Sequence, residues 1–200
     1  MFWENFCALC RAAGKTPSEV VRQLNIAAGS VTKWKHGTLP GRRSLDKLAE
    51  YFSVEPETLF SARMSIRIPV CGDVAAGGPI EALTDVEDYE EIPASMAATG
   101  EYVALRIHGD SMSPRMVEGD VVIVHVQSSA NDGDIVIALI DGEDGAVRAT
   151  CKKLRITPQG IMLLSFHPDY EPMLYTSDRL KATPLRIFGR VVELRAKFDR

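Results

Sequence analysis

Apolar residues recur at two different periods along this chain of 200 residues. Near the start, Phe2, Phe6, Leu9 and Cys10 repeat at helical spacing, and the pattern stops near Gly14. Thr16-Pro17-Ser18-Glu19 then supplies a capping hydroxyl, a proline at the first helical position and a carboxylate three residues after the cap. This predicts a second helix with Val20, Val21 and Leu24 on its inner face. After a short break over Asn25 to Gly29, Ser30 to His36 reads as a third helix, with Val31 and Trp34 inward and Gly37 as its stop. Leu45, Leu48, Ala49, Phe52, Val54 and Leu59 continue the helical pattern. From Tyr102 onward the period changes. The runs YVALRI, GDVVIVHV, GDIVIALI, GIMLLSF and LRIFGRVVEL alternate or are wholly apolar, and they are broken by Gly-Asp turns, which predicts a mostly β region.

A chain of this length, 46% hydrophobic, can bury two small cores. The pattern change divides it into an all-α head over 1–60, a linker over 61–68 that lacks any period, and a mostly β body over 69–200. Charge is divided too. Residues 1–60 hold eight Lys or Arg against six Asp or Glu, a balance of +2, which leaves −6 for the rest of a chain of formal charge −4. A head that meets phosphates and a body that does not would carry this asymmetry. Cys7, Cys10, Cys71 and Cys151 have no framework spacing. Cys7-x-x-Cys10 has no second pair to complete a zinc site, so buried thiols are expected, and no metal or cofactor is implied. The chain opens on no signal-peptide pattern and contains no apolar run of about 18 residues, so a cytoplasmic protein without a membrane partner is expected.

The second and third predicted helices form a short pair around a tight turn, the second one turning Ser30, Thr32, Lys33, Lys35 and His36 outward, as a major groove accepts. With SLDKLAEYFSVEPETLF after it, this stretch resembles the phage-repressor type of helix-turn-helix, which implies a five-helix head that binds double-stranded operator DNA. Ala28 and Gly29 open the reading helix, Ser30, Thr32 and Lys33 would read bases, and Lys35, Arg42 and Arg43 would touch phosphates. A small helical interaction domain without a DNA role is the alternative.

Three further blocks lie beyond the head. Ala75-Ala76-Gly77-Gly78-Pro79 has almost no side chain to pack and exposes backbone to close approach. In HGDSMSPRMVEGD, Ser111 stands in a turn at the end of a strand, where its hydroxyl can project while neighbouring N–H groups point the same way. A serine needs a base. His108 is one candidate, but no Asp completes a Ser/His/Asp set. VRATCKKLRITPQGIMLLSFHPDYEPM supplies the others, Lys152 and Lys153; only one of two adjacent strand residues can face a dry interior, where burial favours a neutral amine.

Together VAAGGP, the Ser111 turn and CKKL resemble the LexA-type and phage CI-type self-cleaving repressors. The resemblance implies a scissile Ala76–Gly77 bond, Ser111 as nucleophile, Lys152 as base and backbone N–H groups of Ser111 and Met112 as the oxyanion site. It also implies a homodimer, and a trigger that is either a RecA filament or an antirepressor protein. A non-cleaving repressor of the same fold is the runner-up; a signal-peptidase-like enzyme would need a membrane anchor.

Overall fold

The computed structural model describes residues 1–62, 64–72, 86–142 and 147–196, and these form two compact units. Residues 1–67 with 91–101 make the first, and residues 68–90 with 102–200 the second.

Four α-helices open the first unit: α1 (Phe2–Ala12), α2 (Pro17–Gln23), α3 (Gly29–Lys35) and α4 (Arg42–Phe52). The α2 start is the expected capping box. The Glu19 N–H donates to Thr16 Oγ1 at 3.3 Å, and the Thr16 N–H donates to Glu19 Oε2 at 2.7 Å. The Thr16 N–H and the Thr16 hydroxyl, both donating to the Glu19 carboxyl, hold it below its ordinary pKa. Between α2 and α3 the chain turns through Asn25, whose φ of +50° is a conformation that Asn tolerates better than most residues. Trp34 anchors α3. Its ring meets Phe2 and Phe6 of α1 edge-on, each at a centroid distance of 5.6 Å, and it lies in one apolar cluster with Val20, Val21, Leu48 and Leu59.

The expected fifth helix is replaced by a short 3-10 turn, Pro56–Phe60. Asn5, buried on α1, meets the end of that turn: its Nδ2 donates to the carbonyls of Thr58, Leu59 and Ser61 at 3.4, 3.2 and 2.9 Å. The chain then runs extended from Ser61.

Strands β1 (Ser65–Cys71) and β2 (Val86–Pro93) flank the segment 73–85, and the short helix α5 (Ala94–Ala97) follows. The second unit adds β3 (Tyr102–Arg106), β4 (Val121–Val126), β5 (Ile135–Asp141), β6 (Val147–Thr157), β7 (Gly160–Leu164), β8 (Met173–Tyr175), α6 (Ser177–Ala182) and β9 (Leu185–Arg195). The strands hydrogen-bond in the order β2-β1-β3-β4-β9-β5-β6-β7-β8, mostly antiparallel, with β1 parallel to β3. The mostly β reading of this region thus agrees with the fold. β9, last in sequence, sits between β4 and β5 and is bulged against both. At Gly189 a side chain is impossible: a Cβ would stand 2.5 Å from Val124 Cγ1 and 2.6 Å from the His125 carbonyl oxygen.

Two apolar clusters fill the unit. One gathers Val103, Leu105, Met112, Met116, Val122, Val124, Ile137 and Leu139. The other gathers Val136, Ala138, Leu154, Leu163 and Tyr175. Among the described residues no helix is long and apolar enough to cross a membrane.

Candidate functional site

Ser111 stands in the turn after β3, and the turn is held from several sides. The Ile107 N–H donates to the Asp120 carbonyl at 2.8 Å, and the Gly119 N–H donates back to the Ile107 carbonyl at 2.9 Å. Asp120, buried, closes the far end by accepting from the Val117 N–H at 2.9 Å. Met112 and Met116, one and five residues after the serine, are buried in the apolar core. A turn pinned at its base and by these two methionines holds Ser111 in one orientation.

Lys152 lies 41 residues further along, on β6. Its cross-strand partner is Val136, whereas Lys153 pairs with Ile135 and Leu164. Alternation therefore separates the two lysines. Lys152 is 5% exposed and shares its face with Val136 and Leu154, both buried; Lys153 is half-buried. The Lys152 Nζ donates to Ser111 Oγ at 2.7 Å and to the Cys151 carbonyl at 3.0 Å. Burial pushes its pKa below the ordinary lysine value, opposed in part by the neighbouring Cys151 thiol. Among the described residues no carboxylate contacts Lys152 to offset that desolvation.

The serine opens on a cleft lined by Leu105, Ile137, Met112 and Cys151, with His108 and Gly72 at the same opening. His108 is exposed, and among the described residues it makes no hydrogen bond to Ser111. Cys151 is no competing nucleophile: burial pushes its thiol up to about 12. The Ser111 and Met112 N–H groups have no acceptor among the described residues, which leaves them available to an oxygen in the cleft. Ala76 and Gly77 lie outside the described residues.

A second brace was missed in the sequence. The Phe166 and His167 N–H groups both donate to the Ser111 carbonyl at 3.1 Å. Three residues on, the Tyr170 hydroxyl donates to Asp110 Oδ1 at 2.5 Å. That bond lowers the Asp110 pKa and raises that of Tyr170. The HPDYEP run thus grips the residue before the serine and the serine's own carbonyl. Tyr170 stood within a quoted motif, but no spacing rule pairs it with a residue 60 positions earlier.

In the first unit, the groups expected to meet DNA are on the surface. Ala28, Gly29, Thr32, Lys33 and Lys35 are exposed, and Ser30 is half-buried. Arg42 and Arg43 are exposed in the first turn of α4. Two cations at a helix N-terminus oppose the helix dipole, so their placement gains nothing for α4 itself. The helix pair is set by α4: Lys47 Nζ donates to the Leu24 carbonyl at 2.8 Å, and the Tyr51 hydroxyl to Gln23 Oε1 at 2.8 Å. Cys7 is half-buried and Cys10 fully buried, its thiol pushed up to about 12 by burial; both are free.

Comparison with known proteins divides the chain in the same two directions. Residues 7–63 match the Cro/C1-type HTH DNA-binding domain, and residues 69–192 match the Peptidase S24-like family. The chain is 38% identical over 133 residues to a LexA repressor of Gluconobacter oxydans, covering 66% of this chain and 52% of that protein. It is 39% identical over 140 residues to a LexA repressor of Rhodospirillum rubrum, covering 70% of this chain and 51% of that one. The matched stretch thus spans about half the length of these relatives. With a serine turn facing a buried lysine, and a match across most of its length, the chain belongs to the Peptidase S24-like family.

Proposed function

We propose that this protein is a sequence-specific DNA-binding transcriptional repressor that inactivates itself by cutting its own Ala76–Gly77 bond with a Ser111/Lys152 dyad. The observation that carries this reading is the 2.7 Å contact between Lys152 Nζ and Ser111 Oγ, made by a lysine that is buried and meets no carboxylate among the described residues. Burying a lysine is costly, and a non-cleaving repressor would have no use for it.

In the proposed reaction the neutral Lys152 amine takes the Ser111 hydroxyl proton as Oγ attacks the Ala76 carbonyl carbon. The oxyanion is held by the N–H groups of Ser111 and Met112. The Ala76–Gly77 C–N bond then breaks, and the Gly77 amine leaves with the proton from Lys152. Water, deprotonated by Lys152, hydrolyses the Ser111 ester to free the Ala76 carboxylate and restore the serine. The 35 residues from Ala76 to Ser111 are ample for the segment to reach its own cleft. Phe166, His167 and Tyr170 act as positioning residues.

The division of labour proposed is a head over 1–60, a linker over 61–68 and a peptidase and dimerisation body over 69–200. The head binds an operator as part of a homodimer. Ser30, Thr32 and Lys33 read bases, with Ala28 and Gly29 allowing close approach, while Lys35, Arg42 and Arg43 meet phosphates. The HTH match and the two arginines set against the α4 dipole support this.

The test is incubation of purified protein at alkaline pH. Wild type is expected to yield fragments 1–76 and 77–200 by mass, and Ser111→Ala to stay whole. Intact wild type, or cutting by Ser111→Ala, would overturn the reading.

A further inference from the structure

Each compact unit is built from chain on both sides of residues 76 and 77. The first joins Met1–Arg67 to Glu91–Glu101, and the second joins Ile68–Glu90 to Tyr102–Arg200. A cut at Ala76–Gly77 would therefore divide the covalent chain without following the boundary between the units.

In the first unit, α5 packs on α1. Arg11 reaches from α1 with Nη1 donating to the Ala97 carbonyl at 2.8 Å and the Gly100 carbonyl at 3.1 Å, which caps the end of α5. The Ala94 N–H donates to the Met64 carbonyl at 2.8 Å, and Ser65 Oγ donates to Glu91 Oε2 at 2.7 Å. Ile92, Ala94 and Ala97 are buried.

In the second unit, β1 is an interior strand, flanked by β2 on one side and β3 on the other. Val70 pairs with Ala104 and Cys71 with Leu105, and both Val70 and Cys71 are buried. Withdrawing an interior strand would leave two facing edges of unpaired N–H and C=O groups and empty the space its side chains fill. None of these contacts is made by residues 76 and 77. Cutting there adds chain freedom, and loop closure changes only slowly with loop length.

We infer that the two cleavage products stay together as a non-covalent complex. The surfaces on fragment 77–200 are the slot between β2 and β3 in the second unit and α5 in the first. Its partner is β1 and the Arg11 face of α1 in fragment 1–76. This is strand addition in which the donated strand comes from the protein's own other half. Loss of the head from the body is then a second step after peptide hydrolysis, and DNA binding outlasts the cut for as long as the complex survives.

This inference rests on the proposed cleavage position, so the test uses a foreign cut. A recognition sequence for a sequence-specific protease is placed within residues 73–85 of full-length Ser111→Ala. The protein is cut to completion, as judged on a denaturing gel, and then gel-filtered at micromolar concentration. Both fragments are expected in one peak at the position of the uncut protein. Two peaks, each holding a single fragment, would overturn the inference, while the alkaline incubation above tests self-cleavage separately. On serial dilution the complex should split, and Arg11→Ala should raise the splitting concentration by roughly tenfold, as loss of a charge-assisted hydrogen-bonding side chain implies. An unchanged splitting concentration would remove Arg11 from the interface.

Discussion

The α3 surface and the Ser111 site solve opposite problems with the same chain. On α3 the side chains proposed to meet DNA are exposed, apart from the half-buried Ser30, and the buried Trp34 anchors the helix on the aromatic core. At Ser111 the proposed base, Lys152, is itself buried, and the serine is held by Lys152 of β6 and by the 166–170 run. A surface that meets an outside partner keeps its charges solvated, because the partner supplies the counter-charges. A site that must shift a lysine pKa has to take the amine out of water.

The largest expected effect separates the two lysines. Lys152→Ala should slow self-cleavage by at least about 10³-fold, whereas Lys153→Ala should remain within about threefold of wild type, since only the first touches the nucleophile. Single-exponential cleavage followed on denaturing gels would measure both. Equal losses would mean that burial and contact at Lys152 do not define the base.

The pH dependence sharpens the same contrast. The neutral amine is the active form, and its pKa is lowered by burial, so cleavage should rise about tenfold per pH unit below that pKa and level off above it. The plateau should begin below the ordinary lysine value of about 10.4. A rate that falls as pH rises toward 10 would sink the role of Lys152 as base. No comparable pH response is expected of DNA binding, which in the proposed reading rests on exposed side chains and not on a buried amine.

Lys33→Ala and Arg42→Ala should behave differently from each other, though both act on the exposed surface. Lys33→Ala, at a proposed base contact, should weaken operator binding by roughly tenfold or more and relax sequence preference. Arg42→Ala, at a proposed phosphate contact, should weaken operator and unrelated DNA alike and lower the salt slope by about one. Titrations at several salt concentrations distinguish them. If neither variant loses affinity, α3 and the start of α4 do not face DNA.

How far these regions could be read from sequence follows from the range of the interactions. The α2 cap is three residues wide and Gly37 acts on the helix it ends, so both were legible. The strands were legible as apolar runs, but their order was not, because β9 inserts between β4 and β5 through pairings as distant in the chain as Val121 with Arg195 and Ile140 with Leu185. The expected fifth helix gives way to a 3-10 turn whose carbonyls are met by Asn5, more than fifty residues earlier, a pairing no local pattern marks. Period two could divide Lys152 from Lys153, yet it could not bring either to Ser111; the family resemblance did that. The Tyr170–Asp110 bond joins two exposed polar residues, and nothing local marks exposed polar residues as partners.

The smallest expected effect tests whether local design can be altered without touching the long-range site. Thr16→Ala removes the side-chain half of the capping box and leaves the Glu19 carboxylate to the Thr16-position N–H alone. The cost should be about 1 kcal/mol. Because α2 and α3 share a core with Phe6, Trp34 and Leu48, that loss falls on the first unit, and should appear as a melting transition lowered by a few degrees. Self-cleavage should keep its rate, since no contact of Thr16 reaches Ser111 or Lys152. A variant that melted normally would make the cap redundant with the aromatic core. One that cleaved markedly more slowly would couple the head to the peptidase site and undo the contrast between them.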